Sequence, residues 1–97
     1  MTKIVTIELE SPIIRGDTEI KTLQLRKPKA GELRGLIVGQ IVQGDAGAML
    51  ELLPRITMPP LTSPEVEELE ADDFTALSNE VVGFFMTPAM RATAGLT

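Results

Sequence analysis

The hydrophobic pattern changes period once along this chain, at Lys27-Pro28-Lys29. Before that point apolar residues alternate. Val5, Ile7 and Leu9 fall on one face of an extended segment with Thr6 and Glu8 on the other, and Leu23 and Leu25 oppose Thr22 and Gln24. After it, apolar residues recur at three- and four-residue intervals. Alternation is the period of a half-buried strand and the longer interval that of an amphipathic helix. The chain is therefore predicted to be α+β: an N-terminal antiparallel β-hairpin followed by three or four short α-helices. A lone two-stranded ribbon is barely stable in water, so the apolar face of the hairpin must cover the helices or be extended by another strand.

Turn and cap residues set the expected boundaries. Pro12 and Gly16-Asp17 place a long, irregular connection between the strands, with Ile13 or Ile14 folded back onto the core. Pro28 disfavours helical dihedrals at Lys27. Leu33, Leu36, Ile37, Ile41 and Val42 predict one amphipathic helix over residues 30–42. Gly31, Gly35 and Gly39 line one side of that helix, either for close packing or a frayed start, or as a contact face for another backbone. Asp45 is placed to cap a second helix carrying Met49, Leu50, Leu52, Leu53 and Ile56, ending at Pro54 or soon after. Residues 57–61, with Pro59 and Pro60, are expected as a stiff extended link. Thr62 and Glu65 have capping-box spacing, and Ser63-Pro64 is the alternative start. Asp72 or Asp73 is expected to cap a last helix reaching about Met86, with Phe74, Leu77, Val81 and Phe84/Phe85 on one face. Residues 1–86 then form a single domain, and residues 87–97 a flexible tail.

Composition narrows the chemistry. The 97 residues include no His, Cys, Trp or Tyr. That removes disulfides, thiolate nucleophiles, imidazole bases and the usual nitrogen and sulfur metal ligands. The acidic run from Glu65 to Asp73 lacks the pattern of a calcium loop and suits a helix start. The serines at 11, 63 and 78 have no basic partner in a recognisable motif, and no Gly precedes Lys-Ser or Lys-Thr as in a phosphate-binding loop. No catalytic residue, cofactor site or metal site is predicted. No apolar stretch approaches the ~20 residues of a membrane span, and the N-terminus lacks a signal-like apolar run.

Formal charge is −5, divided as +2 over residues 1–34 and −7 over residues 35–97. The basic group Arg26, Lys27, Lys29 and Arg34 invites comparison with a phosphate-binding patch. An acidic chain without stacking aromatics fits protein contact better. Five Met and many Leu and Ile residues offer adaptable apolar surface for a helix or an added strand.

Several segments, taken in order, carry a resemblance. Pro12-Ile13-Ile14-Arg15-Gly16-Asp17 precedes Leu25-Arg26-Lys27-Pro28 and Gly31-Glu32-Leu33-Arg34-Gly35. Leu53-Pro54-Arg55-Ile56-Thr57, Pro60-Leu61-Thr62 and Val81-Val82-Gly83-Phe84-Phe85 follow. This succession, over residues 1–86, resembles the short form of the tail assembly chaperones of Mu-like and related contractile-tailed temperate bacteriophages. The resemblance implies a non-catalytic protein of the bacterial host cytoplasm, absent from the mature virion. It would bind the tape measure protein, keep it soluble and help recruit tail tube subunits, the last mainly through a longer, frameshifted form. It also allows self-association, and it implies neither nucleic acid nor membrane as a partner. The alternatives are a small nucleic-acid-binding regulator and a structural tail subunit. On the chaperone reading, Leu36, Ile37, Ile41, Leu50, Leu53, Phe84 and Phe85 divide between the core and a client groove. Arg26, Lys27, Arg34 and Arg55 are candidates to pair with acids on a partner.

Overall fold

The computed structural model describes residues 4–87 and Ala89, so most of the expected tail, residues 88 and 90–97, lies outside the described residues. The order of elements is β1 (Ile4–Arg15), β2 (Thr18–Arg26), a short 3-10 turn (Ala30–Leu33), α1 (Val38–Val42), α2 (Ala46–Ile56), β3 (Thr57–Met58), α3 (Ser63–Glu67) and α4 (Ala71–Phe85). The expected α+β class is present, with one sheet in the order β1-β2-β3.

The hairpin is tighter than its sequence suggests. Arg15 pairs with Thr18, so only Gly16 and Asp17 make the turn. Gly16 has φ +59° and Asp17 does not have positive φ, the arrangement of a II′ turn, whose twist suits the strands it joins. Pro12 does not interrupt the hairpin. It lies in a bulge, because the register jumps from Glu8↔Thr22 to Ile13↔Ile20. A residue without an N–H is tolerated where ladder pairing is already lost. Ile13 packs on the core as expected, while Ile14 is 64% exposed.

The single helix expected over residues 30–42 is instead two short pieces. Gly35 adopts φ +78°, a left-handed conformation that no helix continues through. The glycine stripe is therefore not a packing seam. A Cβ built on Gly31, Gly35 or Gly39 would meet nothing within 4 Å.

Other starts and stops follow the sequence more closely. Asp45 caps α2 by accepting the Ala48 N–H at 2.9 Å. Pro54 falls in the last turn of α2, which ends at Ile56. Thr62 and Glu65 form a reciprocal capping box at α3. The proline-rich link contains a feature the sequence did not suggest: Thr57 and Met58 pair with Leu25 and Gln24 as a third strand, followed by a cis Met58–Pro59 bond. The Thr57 hydroxyl donates to the Leu53 carbonyl at 2.9 Å and accepts the Leu61 N–H at 3.2 Å, so burying it costs little.

The core lies between the inner face of the sheet and the helices. Leu23 and Leu25 from the sheet meet Ile41, Met49, Leu52, Leu53, Ile56, Leu77 and Val81, all fully buried. Burial of side chains of this size contributes roughly 1.5–3 kcal/mol each. Met49 is thus core rather than adaptable surface.

α4 starts before the expected cap. Glu70 occupies the cap position without a side-chain bond, and neither Asp72 nor Asp73 fills it. Asp73 is 97% buried instead, on the same stripe as Leu77, Val81 and Phe84. Its carboxylate accepts the Glu10 N–H at 2.8 Å and the Ser11 N–H at 3.0 Å. It therefore satisfies two donors that the bulge removes from the ladder, and it ties α4 to β1.

Candidate partner-binding surface

The apolar candidates divide by burial. Ile41 and Leu53 have no exposed surface and Phe84 has 8%, so these three are core and touch no partner in this conformation. Leu36, Leu50 and Phe85 are half-buried. Ile37 is 61% exposed beside Val38 at 47%, a neighbour the sequence reading did not single out.

The basic candidates divide as well. Arg26 forms a two-pronged ion pair with Glu32, one prong of which is Nη1 to Oε1 at 2.6 Å. Arg26 also donates to the Arg55 carbonyl at 2.8 Å. Arg55 in turn donates to the carbonyls of Glu32 at 2.7 Å and Arg34 at 2.9 Å. The Lys29 N–H completes the group by donating to Glu32 at 3.0 Å. Two guanidinium groups therefore fasten residues 29–34 to the end of β2 and to α2. The Arg26 guanidinium, followed by the Lys29 N–H, holds the Glu32 carboxyl at about 2, well below the usual carboxylate range, and Arg26 is raised in return. Lys27 and Arg34 have exposed side chains, and among the described residues neither makes an ion pair.

This staple delivers the segment that follows it. Leu36 and Ile37 line an open cleft of about 260 Å³ together with Gln40, Asp45 and Glu51. A second depression, about 220 Å³, opens between α2, α3 and the start of α4. It is lined by Leu50, Val66, Leu69, Ala71 and Phe74, with Glu67 at its side. Only Leu50 of these was a candidate from sequence.

A further ion pair fixes α3 beside the hairpin. Arg15 at the end of β1 donates to Glu65 at 2.8 and 2.6 Å and to the Pro60 carbonyl at 2.9 Å. Glu65 is held at about 2, first by Arg15 and then by the Thr62 N–H. Among the described residues no three His, Cys, Asp or Glu side chains are grouped to hold a metal ion, and no helix is long and apolar enough to cross a membrane. The surface suited to contact is thus apolar, shallow and rimmed mainly by acids.

Comparison with known proteins gives the chain a family. Residues 6–86 match the profile described as phage tail assembly chaperone proteins, E, or 41 or 14. Tail assembly protein E of Escherichia phage P2 is 42% identical over 84 residues, which cover 87% of this chain and 92% of that protein. Tail assembly protein E' of the same phage is 41% identical over 86 residues, covering 89% of this chain but only 61% of its own length. No solved structure matches the chain. With one profile spanning nearly the whole described fold and a relative aligned over most of both lengths, the chain belongs to the phage tail assembly chaperone family.

Proposed function

We propose that this protein is a non-catalytic chaperone of phage tail assembly that binds the tape measure protein and keeps it soluble until tail tube subunits assemble around it. The family match over residues 6–86 carries this reading. The surface is suited to the task. A long helical chain awaiting assembly exposes an apolar stripe and tends to aggregate. Ile37, Val38 and the α2–α3–α4 depression offer shallow apolar contacts, which would cover such a stripe reversibly. On this reading the protein acts in the host cytoplasm and is left out of the finished virion.

The two P2 relatives match nearly the same part of this chain yet differ in how much of their own length is covered. That supports a division of labour in which a shared domain binds the client and an added segment of a longer form recruits tube subunits. Self-association belongs to the same reading; β1 is an edge strand, and Asp73 interrupts that edge at Glu10 and Ser11 by taking their N–H groups.

Co-expression with the tape measure protein of the same phage is the direct test. The client should stay soluble and co-purify with this chain. A client that remains insoluble, with nothing captured, would refute the proposal. Abundant chain in purified virions would favour a structural subunit instead. Of the basic group set against a phosphate backbone, Arg26 is already paired with Glu32, while the chain as a whole is acidic.

A further inference from the structure

We propose that the depression between α2, α3 and α4 is the client-holding site, and that its occupant is a basic amphipathic helical segment, with apolar side chains entering the groove and Lys or Arg at its flanks. This rests on the chaperone reading and adds the location and the chemistry of the partner.

The floor is apolar. Leu50 comes from α2, Val66 from α3, Leu69 from the link, and Ala71 and Phe74 from α4. Its volume, about 220 Å³, falls below the ~300–1,000 Å³ of pockets that enclose small ligands. It suits anchoring side chains from a larger partner, as when an amphipathic helix docks in a groove.

The one charged side chain that lines the groove is an acid, and the exposed charged residues next to its lining in sequence are acids too. Glu67 lines the groove, and the exposed acids Glu68, Glu70 and Asp72 alternate along the chain with the lining residues Leu69 and Ala71. No Lys or Arg occurs between Arg55 and Arg91. Arg15, which the hairpin brings to α3, is taken up by Glu65 and the Pro60 carbonyl. An apolar floor beside acids that no cation pairs with among the described residues attracts cationic amphipathic segments and repels anionic ones.

The cleft beside Ile37 is a weaker candidate, since Gln40 and the capping Asp45 line it.

The test uses the full chain and a synthetic helical peptide with Leu at positions i, i+3, i+4 and i+7, flanked by Lys. A second peptide carries Glu at the flanks. The Lys peptide should shift the methyl resonances of Leu50, Val66 and Leu69. The variant Glu67→Lys/Glu68→Lys should weaken its binding about tenfold at low salt, less at high salt. Glu8→Lys/Glu10→Lys changes net charge equally but lies on β1, and should leave binding within about twofold. Shifts centred on Ile37 and Val38, equal loss in both double variants, equal binding of the Glu-flanked peptide, or no binding at all would each overturn the proposal. Groove shifts that appear on concentrating the chain alone, and that compete with the peptide, would seat a second copy there and overturn it as well.

Co-expression separates the two readings. If Glu67→Lys/Glu68→Lys holds the tape measure protein as well as the unmodified chain does, the groove assignment falls and the chaperone reading stands. If the peptide binds as expected but the unmodified chain fails to keep the tape measure protein soluble, the chaperone reading falls.

Discussion

Asp73→Ala tests the account of the fold at its most specific point. Asp73 is a buried carboxylate whose two oxygens accept the N–H groups of Glu10 and Ser11 at 2.8 and 3.0 Å. A hydrogen bond to a charged group contributes about 1.5–3 kcal/mol net. Losing both removes the acceptor for two donors in a bulge that the ladder does not serve. These donors are only partly buried, so water entering the space recovers some of the loss, and the expected cost is about 2–4 kcal/mol. For 97 residues the entropy of unfolding is about 0.2 kcal/mol per degree, so the melting temperature should fall by roughly 10–20 °C. Asp73→Asn keeps the shape and one acceptor but points an amide donor at one of the N–H groups. With a donor facing a donor and no room for water between them, it should cost about as much as Asp73→Ala. Urea and thermal unfolding measure the size of the effect, and hydrogen exchange locates it. The Glu10 and Ser11 amides should lose protection more than those of Leu23 and Leu25. A loss below about 0.5 kcal/mol for Asp73→Ala, or unchanged protection at Glu10 and Ser11, would show that the carboxylate does not hold β1 to α4.

Glycines at equal spacing should respond with opposite signs: Gly35→Ala forces a side chain into φ +78° and should cost about 1–2 kcal/mol, whereas Gly39→Ala, with open space and a helical position, should stabilise by about 0.5–1 kcal/mol in chemical denaturation. Leu53→Ala should cost about 2–5 kcal/mol in the same assay, and any effect on client binding should vanish under conditions where the variant is fully folded. The Glu32 and Glu65 carboxyls are both held at about 2, below their ordinary value of 4.5. Their contribution to stability is complete above pH 4.5 and declines as pH falls toward 2, so Arg15→Gln and Arg26→Gln should each flatten the acid limb of a stability–pH profile over that window. An acid limb of unchanged slope in both variants would contradict the pairing. Ser78 has a buried hydroxyl with no hydrogen-bond partner among the described residues, so Ser78→Ala should be neutral or stabilising by up to about 1 kcal/mol in thermal unfolding.

What the sequence made legible was local. The alternation of β1 and β2, the Asp45 cap, the Thr62–Glu65 capping box and the α4 stripe each depend on residues a few positions apart. Features joining distant residues left no such period. β3 is two residues long and has no pattern to detect. The break at Gly35 was hidden because the residues on either side of it keep helical spacing in two separate pieces. Asp73 did leave a signal: it lies four residues before Leu77 on the apolar stripe, where a solvated acid has no place. Arg26, Glu32 and Arg55 sit in the segments that carry the family resemblance, and the fold brings those segments together at the staple. Periodicity identified an apolar face on α1 and α2. It did not tell which of its residues another element covers, which is why Ile41 and Leu53 shared a candidate list with Ile37.

The arginines explain how a chain with so few cations separates stability from contact. Arg15 and Arg26 come from the hairpin, and each spends its guanidinium on an acid beyond it, Glu65 or Glu32. Arg55 is turned toward backbone carbonyls. The cations of the strand half thereby fix the outer turns of the helical half, and among the described residues none pairs with Glu67, Glu68, Glu70 or Asp72. Surface pairs of this sort stabilise only modestly, so their larger effect is positional: they orient α3 and residues 29–34. The acids left over repel one another across copies at low salt, while a cationic amphipathic client would relieve that repulsion as it binds. Copies of such a protein would then settle along a client more readily than they would pack on one another's helical faces. On the proposed function, release would then follow from competition by tube subunits for the same apolar stripe, since the groove is shallow.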